Sequence, residues 1–294
     1  MNNTKVKKRK ASSEESGGLY AKIFRYGIMV LAIAFILVPF YVMVSTSLMS
    51  KYEGNNTNFT FWPEHSSFDW YRSVVVERFG GYSAIDSFVA TIVIYAPSSL
   101  IGVLVSGMSA FAFAKMNFPL KNFMFAVLMA TMMLPNNMSL IVSFSLFDMI
   151  GWIGTALPLF VPRLFGTVAV MFFLRQFYFG IPNDMVGSAK IDGLSWFGIF
   201  TRIALPISTP ALIMQFILYF IGGYNDYLGP LLYLQSSSLT TIQVFLASLE
   251  DPYIQNWPLR MAAAIIAMFP LIVLYLLSQK VILKDVSIGS GIKG

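Results

Sequence analysis

Six stretches of about 20 mostly apolar residues recur along this 294-residue chain, and nothing else in it limits the fold as tightly. They occupy residues 26–49, 84–114, 122–142, 157–177, 211–234 and 261–283. A run of that length matches the hydrocarbon thickness of a bilayer when it is helical. Helix is required there, because no water reaches the bilayer core to satisfy unpaired backbone groups. The second run is long enough to tilt or to extend past the bilayer. Composition points the same way: 56% of residues are hydrophobic and only 12% are charged, against roughly 25% in a soluble domain. A water-soluble enzyme is excluded for want of charge to solvate its surface. The expected fold class is an all-α integral membrane protein with six transmembrane helices. A basic segment, 1–25, precedes a transmembrane domain over 26–294. The first run is too long for a signal peptide and no small-residue cleavage site follows it, so it reads as an uncleaved anchor.

The few charges orient the chain. Lys5, Lys7, Lys8, Arg9, Lys10, Lys22 and Arg25 precede the first run. With that end inside, Lys115, Lys121, Arg175, Lys190, Arg202, Lys280, Lys284 and Lys293 fall on the same side. Only Lys51, Arg72, Arg78 and Arg260 face out, and Arg163 lies within the fourth run. Excess Lys and Arg mark the cytoplasmic side, so both termini are expected to be cytoplasmic. The net charge of +6 is therefore an orientation signal, and no basic patch interleaved with aromatics suggests nucleic acid. The chain holds no Cys and a single His, His65, which removes disulfides, thiol chemistry and His-rich metal sites.

The most informative segment is 181–212, IPNDMVGSAKIDGLSWFGIFTRIALPISTPAL. Pro182 suits the first position of a helix, and Asn183 or Asp184 can satisfy its free N–H groups. That helix carries the small residues Gly187, Ser188 and Ala189, and Gly193 ends it as a left-handed C-cap. Ser195 can cap a second helix, in which Trp196, Ile199, Phe200 and Ile203 share one apolar face. Pro206 and Pro210 mark the return to the bilayer. The product is a compact helix–glycine–helix element, either a surface for close approach by another protein or a linker lying at the lipid headgroups.

This segment resembles the coupling-loop motif of ATP-binding-cassette (ABC) importer permeases, roughly E-A-A, three residues, G, nine residues, I-x-L-P. Pro182, Ala189, Asp192, Gly193, Phe200, Ile203, Leu205, Pro206 and Pro210 match it. Leu174, Arg175 and Gln176, and Tyr224, Asn225, Asp226 and Tyr227, are similar to the carbohydrate branch, in particular the second permease subunit of maltose-type importers. The tail 289–294, GSGIKG, resembles that subunit's A-G-A-V-K-G. One departure stands out: Gly187 replaces the motif's Glu, and Ser188 its first Ala, so the anchoring charge falls to Asp184 or Asp192. The resemblance implies a type I ABC importer permease fold with a cytoplasmic coupling helix. Asp184, Gly187, Ser188, Ala189, Asp192 and Gly193 would couple it to an ATPase.

The implied function is import of a sugar or oligosaccharide delivered by an extracytoplasmic solute-binding protein. The implied setting is a bacterial inner (cytoplasmic) membrane, crossed many times. Implied partners are a second homologous permease subunit, an ABC ATPase dimer and the binding protein. No cofactor is expected in this chain, and ATP and Mg would sit on the ATPase. No G-x-x-x-x-G-K-[ST] loop occurs here. Tyr224, Asn225 and Asp226 are candidates for the substrate pathway, since an acid within a span is a functional candidate by default. The alternative is that Asp226 pairs with a neighbouring helix or partner subunit, and Arg163 is expected in such an ion pair or snorkelling. The loop 235–260, with Ser237, Tyr253, Asn256 and Trp257, is either a docking surface for the binding protein or a solvated connector. A stand-alone secondary transporter or channel is the competing class. A membrane enzyme would need clustered catalytic groups, and none is visible.

Overall fold

A computed structural model describes residues 3–55, 60–133, 136–235, 237–250 and 255–289, with side chains from 22 to 279 within those ranges except 136–138. In chain order the elements are α1 (Asn3–Ser47), α2 (Lys51–Gly54), α3 (Asp69–Val76), β1 (Arg78–Phe79), β2 (Tyr82–Ser83) and α4 (Ala84–Lys115). There follow α5 (Lys121–Thr131), α6 (Asn136–Met149), α7 (Leu157–Leu164), α8 (Val168–Phe179), α9 (Asn183–Ile191) and α10 (Trp196–Ile199). A π-helical turn, Phe200–Ala204, leads into α11 (Leu205–Tyr224), then α12 (Leu228–Tyr233), α13 (Ile242–Ser248) and α14 (Trp257–Gly289).

Among the described residues five helical segments are long and apolar enough to cross a membrane: Lys22–Ser47, Ala84–Lys115, Leu157–Phe179, Trp196–Tyr224 and Trp257–Gln279. The stretch expected as a sixth, 122–142, is instead split between α5 and α6. The sequence between them carries Pro135, which lacks an amide donor and disfavours helix in the residue before it. The span expected over 211–234 also shifts. Its helix is continuous from Trp196 and stops at Tyr224, with three residues between it and α12. A short antiparallel hairpin, β1 with β2, pairs Arg78 with Ser83 and Phe79 with Tyr82 around Gly80 and Gly81. Ser83 then caps α4, its Oγ accepting from the Asp86 N–H at 3.4 Å.

The chain forms two compact units. The first comprises Met1–Trp70 and Asn256–Ile265. Here the segment after α1 folds back on it: the Ser67 N–H donates to the Leu48 carbonyl (3.0 Å) and the Trp70 indole to that of Met49 (2.9 Å). The apolar side chains of α1, such as Phe35 at 82% exposed, face outward, a surface for lipid or protein rather than water.

The second unit comprises Tyr71–Gln255 and Ile266–Gly294. Its core gathers Val103, Ala110 and Phe111 of α4, Leu174 and Tyr178 of α8, and Ala211 and Leu212 of α11. Lipid supplies no hydrophobic drive between helices, so close approach of small residues matters more. On α4, Ser98, Ser99, Gly102 and Ser106 form such a stripe, all buried. At Gly102 the approach is extreme, since a Cβ there would sit 2.2 Å from the Arg163 carbonyl oxygen. The Tyr178 and Ser208 hydroxyls meet at 3.1 Å, joining α8 to α11 inside the core.

Candidate functional site

The helix–glycine–helix element forms where the sequence places it. Gly193 adopts φ +83°, a left-handed conformation that costs other residues about 1–2 kcal/mol. Its N–H donates to the Lys190 carbonyl and the Leu194 N–H to that of Ala189, each at 3.0 Å. That pair of bonds is a Schellman motif, which satisfies the last carbonyls of α9. Ser195 caps α10, its Oγ accepting from the Gly198 N–H at 3.1 Å. Ile199 and Phe200 are buried, with Trp196 and Ile203 packed beside them in the core.

The start of α9 is secured differently from the sequence expectation. Pro182 precedes the helix and no side chain caps it. Asn183 instead receives the Lys115 ammonium, Nζ to Oδ1 at 2.9 Å, and the same ammonium donates to the Ile181 carbonyl at 2.5 Å. Lys115 ends α4, so the first turn of α9 is tied to the longest helix of its unit's core. Sequence reasoning used Lys115 only as a topology marker. Its partners lie 66 and 68 residues away, beyond any local pattern.

The six candidate coupling residues divide between two faces of α9 and its end. Val186 and Ala189 are buried in the core, so Ala189 supports the element from within and is not on its outer surface. Asp184, Ser188 and Asp192 are exposed, together with Ile191 at 88%. These four lie at i, i+4, i+7 and i+8, which places them on one helix face. Gly187 is half-buried, and a Cβ there would meet nothing within 4 Å. Lys190 lies over the Trp196 ring, Nζ 3.5 Å from its centroid, which braces α9 against α10.

The pathway candidates are engaged in structure. Tyr224 is 1% exposed and donates to the Ala267 carbonyl at 2.7 Å. Asp226 Oδ1 accepts from the Gly229 N–H at 3.1 Å, as a cap for α12, and Oδ2 accepts from the Tyr95 hydroxyl at 3.4 Å. Asn225 is exposed and accepts from the Gln243 amide at 3.1 Å. Arg163 joins Ser99 and the Tyr219 carbonyl at 2.9 and 2.7 Å, under the Tyr95 and Tyr219 rings, rather than pairing with Asp226. Tyr95, touching both Arg163 and Asp226, was not signalled by the sequence.

Of the docking candidates, Ser237 Oγ accepts from the Leu239 N–H at 3.0 Å. In the other unit, Asn256 Oδ1 accepts from the Leu259 N–H at 3.3 Å and the Trp257 N–H donates to Asn55 Oδ1 at 3.1 Å. Tyr253 and the tail beyond Gly289 lie outside the described residues. Among the described residues no group of three or more His, Cys, Asp or Glu is placed to hold a metal ion.

Apolar spans joined by a packed helix–glycine–helix element mark a multi-pass membrane protein. The chain belongs to the family of binding-protein-dependent transport system inner membrane components, whose pattern matches residues 100–288. It is 30% identical over 232 residues to the arabinooligosaccharides transport system permease protein AraQ of Bacillus subtilis, covering 79% of this chain and 81% of that one. It is also 30% identical over 268 residues to the sn-glycerol-3-phosphate transport system permease protein UgpE of Escherichia coli (strain UTI89), covering 88% and 93%. The fold is similar to that of a bacterial ABC transporter involved in import of the acidic polysaccharide alginate, with a TM-score of 0.73 at 20% identity over 88% of this chain and 96% of that one. The protein is thus an inner-membrane transport subunit and not itself an enzyme. Membership of a binding-protein-dependent family sets aside the stand-alone transporter or channel.

Proposed function

We propose that this chain is one permease subunit of an ATP-driven importer, moving a sugar, oligosaccharide or similarly polyhydroxylated solute handed over by an extracytoplasmic binding protein. The similarity to permeases named for an arabino-oligosaccharide and for a polyol phosphate supports that solute class. Its complement is a second homologous permease, an ATPase dimer that binds ATP and Mg, and the binding protein. Both termini and α9 face the cytoplasm in this reading, with α5 and α6 together making the sixth crossing, and the Lys and Arg distribution supports it.

The observation that carries the coupling role is the two-sidedness of α9. Its inner face, Val186 and Ala189, is buried in the core beside α10, while Asp184, Ser188, Ile191 and Asp192 are exposed on the outer face. A displacement imposed on that face by a closing ATPase passes directly into packed helices, as a two-state element requires. Asp184 and Asp192 supply the negative charge that Gly187 does not.

Because the protein contains no Cys, single cysteines report contacts cleanly. Ser188→Cys and Ile191→Cys are expected to cross-link to the ATPase subunit in the assembled complex, and Arg78→Cys is not. An intact complex in which neither position cross-links would end the coupling assignment. Uptake of an amino acid or metal ion by the reconstituted complex, with no polyhydroxylated solute taken up, would end the substrate assignment.

A further inference from the structure

Beside α9, at the same end of its unit, lies a polar cavity that the coupling element does not use. It is an open cleft of about 530 Å³ lined by Asn117, Lys121, Asn122, Phe123, Arg175 and Phe179, among others. These residues follow the end of α4, open α5 and close α8, so they sit at helix ends, where a bilayer presents its headgroups.

Two cations line this cavity, and no carboxylate lines it among the described residues. The Arg175 guanidinium is held against Phe125 and Phe179, its central carbon 3.8 and 4.6 Å from the ring centroids. Its Nε donates to the Phe113 carbonyl at 3.4 Å, which leaves the two terminal nitrogens without a partner among the described residues. Lys121 donates to the Met116 carbonyl at 2.7 Å and retains two further donors. Neither cation is in an ion pair among the described residues. Desolvation first, and the Arg175 charge second, hold the Lys121 ammonium below its ordinary range, as expected of cations sharing a space that lacks a counter-charge.

The rim is apolar. Leu120, Phe123 and Phe179 are 71%, 65% and 47% exposed. Leu120 is also the one non-glycine residue at positive φ among the described residues, φ 59°, so the backbone is strained at the edge of the cavity. A free phosphate would satisfy the cations and leave these side chains in water. A lipid satisfies both, with its phosphate on the cations and its acyl chains along the rim. An immobilised guanidinium fork suits the phosphate, and the lysine adds a point charge. We propose that this cavity binds the phosphate of an anionic phospholipid headgroup.

The test is native mass spectrometry of the whole complex in detergent, titrated with phosphatidylglycerol. One saturable lipid per copy of this chain is expected, with phosphatidylcholine and inorganic phosphate failing to displace it at equal concentration. Lys121→Gln should raise the half-saturation concentration about fivefold, the effect of one basic residue near an anionic headgroup. Asn122→Asp, at an exposed position, should weaken binding at least as much by facing the headgroup with a carboxylate. Arg202→Gln, a cation outside the cavity, should leave it unchanged. Equal half-saturation for the native chain and either cavity variant would overturn the proposal. Displacement of the lipid by inorganic phosphate would overturn the lipid assignment in favour of a phosphate site.

Discussion

Replacing Gly102 by alanine tests the closest helix contact in the second unit. The added methyl would lie 2.2 Å from the Arg163 carbonyl oxygen, 3.0 Å from Tyr219 Cε1 and 3.2 Å from Gly166 Cα. Ordinary van der Waals contact begins at 3.4 Å, and two of these three neighbours are backbone that no rotamer change can move aside. The end of α7 must therefore part from α4 by about 1 Å, which strains a packed core by roughly 1–3 kcal/mol. It also disturbs Arg163, whose Nη2 bonds to Ser99 and to the Tyr219 carbonyl are short, at 2.9 and 2.7 Å. Alanine's better helix propensity returns about 1 kcal/mol. Strain less that gain nets about 0–2 kcal/mol, and the disturbed Arg163 bonds place the expected loss in the upper part of that range. Gly222→Ala is the matched control: it is also helical, meets nothing within 4 Å, and should be neutral or stabilising by up to about 1 kcal/mol. The readout is the half-life of the purified complex at a fixed elevated temperature, because membrane complexes of this kind unfold irreversibly. The two alanines should shift it in opposite directions. If Gly102→Ala survives as long as Gly222→Ala, close approach at α4 is not what holds this region together.

Three further outcomes follow from the geometry. Gly193→Pro forces φ to about −65° where +83° is present and removes the N–H that bonds to Lys190, so ATP hydrolysis should proceed with little uptake; an unchanged ratio of uptake to hydrolysis would contradict the coupling role. Lys115→Met removes both bonds at the start of α9, and amide exchange across 181–193 should speed up roughly 5- to 150-fold, the equivalent of about 1–3 kcal/mol; unchanged protection would mean the lysine does not secure the helix. Asp226→Asn keeps an acceptor for the Gly229 N–H and should melt near the native protein, whereas Asp226→Ala loses the cap and about 1 kcal/mol; equal melting of the two variants would discount the capping role.

The parts of this structure that could be read from the sequence are those written in local chemistry. Gly193 and Ser195 announce their roles within four residues of themselves, and both form as read. The apolar face of Trp196, Ile199, Phe200 and Ile203 was equally plain, because periodicity depends only on helix geometry. The split between α5 and α6 was written there too, in Pro135 followed by Asn136 and Asn137, but hydropathy summed over the window outweighed it. The stripe of Ser98, Gly102 and Ser106 is a small-residue repeat at every fourth position that was passed over, although its spacing is visible in the sequence. Other features were not legible at all. Asp226 looked functional because an acid in a span is expensive. What occupies it is a helix start three residues on and a tyrosine 131 residues back. Which face of α9 points outward, and hence that Ala189 is buried, depends on how the helix seats in the core, which no local pattern specifies.

The π-helical turn between α10 and α11 has a mechanical meaning. It absorbs a change of helical register through the bond from the Leu205 N–H to the Phe200 carbonyl, without breaking the helix. Trp196–Tyr224 is therefore one continuous helical path of 29 residues, about 43 Å along its axis. Rotating such a helix by about 5° about one end carries the other roughly 4 Å. One end grows from Gly193 and Ser195, and the other stops at Asn225, beside Asp226. If α9 tilts the start of this helix, as the proposed coupling role implies, the displacement is greatest at the point where the helix breaks.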